Sequence, residues 1–66
     1  MTTELTPQQH RVLVGLSNGR RQGQLASTLG LQESTVNAHA RDIRRKLGAA
    51  TNEQAIAIAF RKGLLS

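Results

Sequence analysis

The sequence predicts an all-α domain built from four helices, and three observations support this class. Apolar residues recur three or four positions apart, which is the spacing of one helix face. Glycines follow these segments at the points where helices commonly end. No segment alternates apolar and polar residues as a half-buried strand does. We expect a single domain over residues 1–66, with helices over 7–17, 22–29, 33–47 and 52–62.

The first predicted helix has a clear start and an interrupted apolar face. A capping box and a proline in the first turn are indicated by Thr6, Pro7 and Gln9. The apolar face consists of Val12, Leu13 and Leu16. Gly15 lies inside this face and costs about 1 kcal/mol relative to alanine. It therefore either permits the close approach of another helix or marks early fraying, before Asn18 and Gly19 end the helix.

The second and third predicted helices form a pair joined by a short turn. The second is short, and Gly30 lies in the turn that follows it. The third has a single apolar stripe, formed by Val36, Ala40, Ile43 and Leu47. A short helix, a glycine-containing turn and a second helix make up the helix-turn-helix arrangement. The exposed face of the second helix in such a pair can enter the major groove of duplex DNA.

The fourth predicted helix is apolar on more than one side. Thr51 is a favoured N-cap residue, with Gln54 three positions later. Six consecutive apolar residues follow, from Ala55 to Phe60, and they cannot all lie on one face of a helix. Ala55, Ile56 and Ala59 share one side. The apolar residues on the other side of the helix indicate a second packing surface.

The composition favours a polyanionic partner. Nine Lys and Arg against four Asp and Glu give a net charge of +5, which points first to nucleic acid and second to an acidic membrane surface. One aromatic residue, Phe60, is too few for the stacking platforms that bind single-stranded nucleic acid. No apolar run approaches the roughly 20 residues that span a bilayer. The N-terminus lacks the features of a secretory signal. We therefore expect a cytoplasmic, nucleoid-associated protein.

Nearly the whole chain resembles one known family. The matching pieces are Leu5-Thr6-Pro7, Val12-Leu13, Gly19, Leu25-Ala26, Leu29-Gly30-Leu31, Thr35-Val36, His39, Ile43, Lys46-Leu47-Gly48, Ala55, Ala59 and Gly63-Leu64. With these residues the chain is similar to the LuxR-type (GerE-like) DNA-binding domain of bacterial transcription regulators. The resemblance implies four helices, of which the third reads duplex DNA and the fourth usually forms a dimer.

The resemblance assigns base contacts to three residues of the third helix, Asn37, Ala38 and Arg41. Their chemistry suits the role, because arginine bonds to guanine O6 and N7, asparagine to adenine N6 and N7, and a small apolar side chain contacts the thymine methyl group. The alternative is that these side chains form a solvated polar face.

Phosphate contacts are predicted at six further positions, namely Arg21, Gln22, Ser34, Thr35, Arg45 and Lys46. Arg45 and Lys46 belong to a run of four cations within six residues. No acid lies four residues before Arg45 to form a surface pair, whereas Asp42 lies four residues before Lys46. Arg44 is expected to face solvent. Ser34 and Thr35 lie where a helix N-terminus favours phosphate, although simple capping is equally possible for Ser34. Arg21 and Gln22 precede the second helix, which crosses the DNA backbone in this motif. Free surface charge is the alternative.

The fourth helix supplies the predicted dimer face, formed by Ala57, Ile58, Arg61 and Leu65. Isolated exposed apolar residues are the alternative. A two-fold dimer would bind half-sites about one helical turn apart. RNA polymerase is a further candidate partner of a protein of this class.

Catalysis, metal binding and a cofactor are not expected. No nucleophile, base and orienting group occur at a recognisable spacing. The chain has two histidines, His10 and His39, and no cysteine, which leaves few metal ligands. We expect His39 to be partly buried and hydrogen-bonded.

The sequence departs from the family pattern at several positions, including Arg21 to Gln24, Gln32, Asn37 and Asn52. These departures keep two other hypotheses open. One is a protein-binding antagonist that pairs with a full-length regulator and reads DNA poorly. The other is a promoter-recognising helix-turn-helix of a sigma factor, which would need core polymerase to bind.

Overall fold

The computed structural model describes residues 5–65, which form four helices and no strand. The helices are α1 (Pro7–Ser17), α2 (Gln22–Leu29), α3 (Glu33–Leu47) and α4 (Asn52–Arg61). The all-α class predicted from the sequence is confirmed. Lys62 caps α4 and does not extend it. Within residues 5–65, no helix combines the length and the apolar character needed to cross a membrane.

The core is built around α3, which contacts each of the other three helices. The predicted stripe on α3 is buried along its whole length, and its members are Val36, Ala40, Ile43 and Leu47. The other helices contribute the rest of the core, with Val12, Leu13, Leu25, Ala26, Ala55 and Ala59 among the buried residues. The opposite face of α3 is therefore left open to solvent.

The N-terminal half of α1 carries the capping box predicted from the sequence. Thr6 Oγ1 accepts a hydrogen bond from the backbone N–H of Gln9 at 3.1 Å, and Gln9 Oε1 accepts one from the N–H of Thr6 at the same distance. These two bonds satisfy donors that the first turn of a helix otherwise leaves open.

Each helix ends with a bond from the backbone N–H just after a glycine to a carbonyl five residues earlier. At the turn between α2 and α3, the N–H of Leu31 donates to the carbonyl of Ala26 at 2.8 Å. This geometry needs Gly30 in the left-handed conformation, and its φ is 70°. The connection to α3 is three residues long, so the axes of the helix-turn-helix pair are closely constrained.

The C-terminal turn corrects one member of the predicted dimer face. Leu65 is only 9% exposed and belongs to the core, so it is not on the outer surface of α4. The chain reverses after α4, where the N–H of Leu64 bonds to the carbonyl of Ala59 at 2.8 Å. This reversal carries Leu65 inwards. Ile58 is half-buried and packs against the edge of the core.

Gly15 is explained by the close approach of α2. A Cβ atom at this position would lie 2.0 Å from Cδ2 and 3.1 Å from Cγ of Leu25, whose side chain is itself buried. The close-approach interpretation of Gly15 is therefore correct, and the helix continues past it to Ser17.

Replacing Gly15 by alanine should lower the free energy of unfolding by about 1–3 kcal/mol, because overpacking outweighs the helix propensity of alanine. Gly23→Ala is the matched control, since its Cβ would meet the Glu33 side chain at an ordinary 3.6 Å. That change should raise the free energy of unfolding by about 0.5–1 kcal/mol. Urea unfolding followed by circular dichroism measures both. Equal effects of the two substitutions would contradict this account of Gly15.

Candidate nucleic-acid interface

The outer face of α3 is a continuous row of exposed side chains. Its members are Ser34, Asn37, Ala38, Arg41 and Arg45. They lie opposite the buried stripe because the two sets are out of phase on a helix of 3.6 residues per turn. The three residues predicted to contact bases are thus exposed together on one side of one helix.

The N-terminus of α3 carries unpaired backbone donors. Gln32 is the N-cap residue and makes no side-chain capping bond. Its carbonyl accepts from the N–H groups of Thr35 and Val36, whereas those of Glu33 and Ser34 have no acceptor among residues 5–65. Such donors favour an anion. Glu33 is the opposing charge in this first turn, and its carboxyl group lies towards Gly23 of α2.

Arg45 has an intramolecular partner that the sequence analysis did not predict, because it considered only acids four residues earlier. Its guanidinium forms an ion pair with Asp42, three residues earlier on the same helix. The side chain of Arg45 nevertheless remains 77% exposed. Ion pairs this exposed contribute little to stability, so a phosphate can compete for the guanidinium.

Lys46 is held within the fold. The residue is half-buried, and its ammonium group donates to Gln9 Oε1 at 2.8 Å. Gln9 is only 6% exposed, and the same oxygen also accepts from the N–H of Thr6. One amide oxygen therefore joins the capped start of α1 to the C-terminal part of α3.

Arg44 does not face solvent as the sequence suggested. It is half-buried, and its Nη1 donates to Asn52 Oδ1 at 2.5 Å. Asn52 is the first residue of α4, so this bond joins the end of α3 to the start of α4. Two of the four cations between Arg41 and Lys46 thus bind neighbouring helices.

The start of α2 places a further cation at the surface. Arg21 is exposed, and its backbone N–H donates to Gln24 Oε1 at 3.0 Å. Gln22, the first residue of the helix, is half-buried. The first turn of α2 contains no acidic residue of its own, although the Glu33 carboxyl group of α3 lies close to Gly23 in that turn.

The outer face of α4 includes a residue that sequence reasoning did not assign. Ala57 and Arg61 are exposed as predicted, but the large apolar residue beside them is Phe60, which is 48% exposed. Its position in the six-residue apolar run was visible, yet the run alone did not show which members faced outwards. Charting the run on a helical wheel around Ala55 and Ala59 separates Phe60 from the buried side.

His39 is half-buried, but its ring makes no hydrogen bond within residues 5–65, contrary to expectation. His10 is exposed, and its Nε2 lies 3.1 Å from the carbonyl oxygen of Leu64. Among the described residues, no three His, Asp or Glu side chains come together in a group that could hold a metal ion.

Comparison with known proteins identifies a family and several relatives. The family described as "Bacterial regulatory proteins, luxR family" matches residues 3–59. The chain is 36% identical over 64 residues to the transcriptional regulatory protein YdfI of Bacillus subtilis, covering 97% of this chain and 30% of that protein. It is 38% identical over 61 residues to the transcriptional activator AhyR of Aeromonas hydrophila, covering 92% and 24%. The chain therefore spans less than a third of the length of these curated relatives.

Solved structures agree with the sequence comparison. The fold matches a dimer of VqmA from Vibrio cholerae, described among LuxR-type receptors, with a TM-score of 0.89 and 30% identity. That match covers 96% of this chain and 28% of the other. A VqmA–ligand–DNA complex matches with a TM-score of 0.87 and 30% identity, covering 97% and 28%.

Because Gln9 is buried and hydrogen-bonded, we expect its loss to reduce stability more than the loss of the neighbouring Gln8. Gln9→Ala should lower the free energy of unfolding by about 1–3 kcal/mol, because it leaves both Lys46 and the Thr6 N–H without this acceptor. Gln8→Ala is the matched control. The Gln8 amide accepts only a 3.4 Å surface bond from Arg11, and its loss should change stability by less than about 0.5 kcal/mol. Thermal or urea unfolding distinguishes the two, and equal losses would show that the Gln9 bonds are not structural.

Proposed function

Because the chain belongs to the luxR family of bacterial regulatory proteins, whose members are transcription regulators, we propose that it binds duplex DNA sequence-specifically as a homodimer. The single observation that carries this proposal is the outer face of α3, where exposed asparagine, alanine and arginine side chains lie opposite a fully buried stripe. A major groove about 12 Å wide admits one such helix.

Base contacts belong to the middle of that face. Arg41 bonds to guanine O6 and N7, Asn37 bonds to adenine, and Ala38 contacts a thymine methyl group. All three side chains are exposed. The polar groups of Asn37 and Arg41 form no hydrogen bond or ion pair with another side chain among residues 5–65. Their polar atoms are therefore available to a ligand without prior rearrangement.

Phosphate contacts surround the base contacts. Arg45 extends from the outer face of α3, Arg21 lies at the start of α2, and Ser34 and Thr35 lie beside open backbone donors at the start of α3. Gln22 borders Arg21. Lys46, which the sequence placed in this set, is half-buried and also donates to Gln9 Oε1.

Arg41 and Arg45 should differ in how their loss affects DNA binding. Arg41→Ala should weaken the preferred site by about 1–3 kcal/mol and relax specificity at one or two base pairs. Arg45→Ala should weaken all duplexes alike and reduce the salt slope by about 0.9. Fluorescence anisotropy over a panel of duplexes and salt concentrations measures both.

Asp42→Asn provides the converse change. It removes the carboxylate that pairs with Arg45 and should tighten binding to every duplex by a similar factor. If the unmodified domain shows no preference over random duplex at any salt concentration, the proposed sequence-specific function is wrong. Formation of heterodimers under those conditions would instead support the antagonist hypothesis.

The dimer is proposed to form through the outer face of α4. Ala57 and Phe60 provide apolar surface, Arg61 borders it and Ile58 lies at its edge. A two-fold axis at this face pairs each residue with the same patch on the other copy. One of the matched VqmA structures is described as a dimer, which supports this proposal.

Ala57→Glu should shift the equilibrium towards monomer, because two-fold symmetry brings two like charges into one apolar contact. Ala50→Glu is the matched control, since Ala50 is exposed and lies in the turn before α4. Sedimentation velocity of both variants and of the unmodified domain at several concentrations tests the interface. An unchanged monomer–dimer equilibrium in Ala57→Glu would exclude this face.

A further inference from the structure

The surface between α1 and α2 contains a groove that the proposed DNA-binding role does not use. Its volume is about 280 Å³, and its apolar floor is formed by Val14, Leu25 and Leu29. Gly15 also lines the groove, and its lack of a side chain lets the buried Leu25 of α2 pack directly against α1 there. We propose that this groove binds an acidic peptide segment of a protein partner, with an apolar side chain of that segment inserted between the helices.

The charge around the groove specifies the chemistry of the partner. Arg11 borders it from α1, and Arg20 borders it from the turn before α2. Both are exposed, and neither forms an ion pair among residues 5–65. Residues 5–32, which form α1, α2 and their turns, contain no Asp or Glu. A segment with carboxylates on either side of an apolar residue is therefore complementary to this surface.

The size of the groove favours one anchoring side chain over a small-molecule ligand. Pockets that bury drug-sized ligands have volumes of about 300–1,000 Å³. This groove lies just below that range and is open along one side, so it suits one or two side chains of a docked peptide. Peptides that bind in such grooves commonly use a few apolar anchors from one face of a helix.

DNA is a poorer fit to the same surface. A phosphate backbone offers charge but no apolar group for the floor formed by Val14 and Leu29. The lining residues come from α1, α2 and the turn between them, and none lies on α3. This inference therefore does not depend on the proposed function, and either can fail alone.

The test uses a short fluorescent peptide in which Asp and Glu flank two leucines. Titration into isotopically labelled domain, followed by NMR, should move the amide signals of Val14, Gly15 and Thr28 with saturation. Replacing both leucines of the peptide by serine should weaken binding at least tenfold, because the apolar contribution is lost. A peptide with lysine in place of the acids should not bind.

Single substitutions then locate the contact. Arg11→Gln should lower the affinity for the peptide about two- to fivefold, as expected for the loss of an exposed charge pair. Thr28→Lys adds a cation at the exposed edge of the groove and should raise the affinity for the peptide by a similar factor. Lys62→Gln is the matched control, since Lys62 is an exposed cation outside the groove, and it should leave affinity unchanged.

Three results would overturn the proposal. One is no saturable shift at the groove with the acidic peptide. Another is equal binding of the leucine and serine peptides, which would reduce the interaction to charge alone. The third is movement of the same amides by a duplex but not by the peptide, which would assign the surface to DNA. The DNA titrations of Arg41 and Arg45 variants report separately on α3.

Discussion

The buried row on α3 is the contact on which the arrangement of the other helices depends. Val36, Ala40, Ile43 and Leu47 occupy one side of this helix, and α1, α2 and α4 all pack around it. A domain this small buries only about 60% of the surface of its unfolded chain, so it has little core to spare. Since the same helix carries the exposed row of polar residues, the packing that stabilises the domain also orients the surface proposed to meet DNA.

The cations of α3 divide into two groups with different roles. Arg41 and Arg45 extend outwards, whereas Arg44 and Lys46 bond to α4 and α1 from opposite sides of the helix. These two bonds restrain the C-terminal part of α3 against its neighbours. Restraint of this kind lowers the conformational entropy lost on binding, because the helix does not have to be ordered by its ligand. A high density of positive charge in a sequence therefore does not indicate an equal number of phosphate contacts.

Much of the fold was accessible from the sequence because it depends on local signals. The capping box at Thr6, the stripe on α3 and the glycine after each helix act within a few residues, and each was visible as a pattern. The features that the sequence did not reveal are contacts with a distant part of the chain. Arg44 meets Asn52 across a turn, Lys46 meets Gln9 across 37 positions, and Leu65 returns to the core after a reversal.

The candidate site follows the same division. Exposure of Asn37, Ala38 and Arg41 follows from their phase relative to the stripe, so it could be anticipated. The partner of Arg45 could have been found by testing a spacing of three as well as four, since both bring side chains together on a helix. A helical wheel places Phe60 on the outside once Ala55 and Ala59 are taken as the buried side, but which side of α4 is buried depends on the tertiary packing.

The short turns closed by glycine have a consequence for how quickly the domain forms. Three connections of three or four residues join the helices, so most contacts link segments close in sequence. Helical domains with such local contacts fold in microseconds to milliseconds, because little chain entropy is lost before contacts form. A copy that opens transiently would therefore regain its structure far faster than a chain of this size diffuses into an aggregate at low concentration.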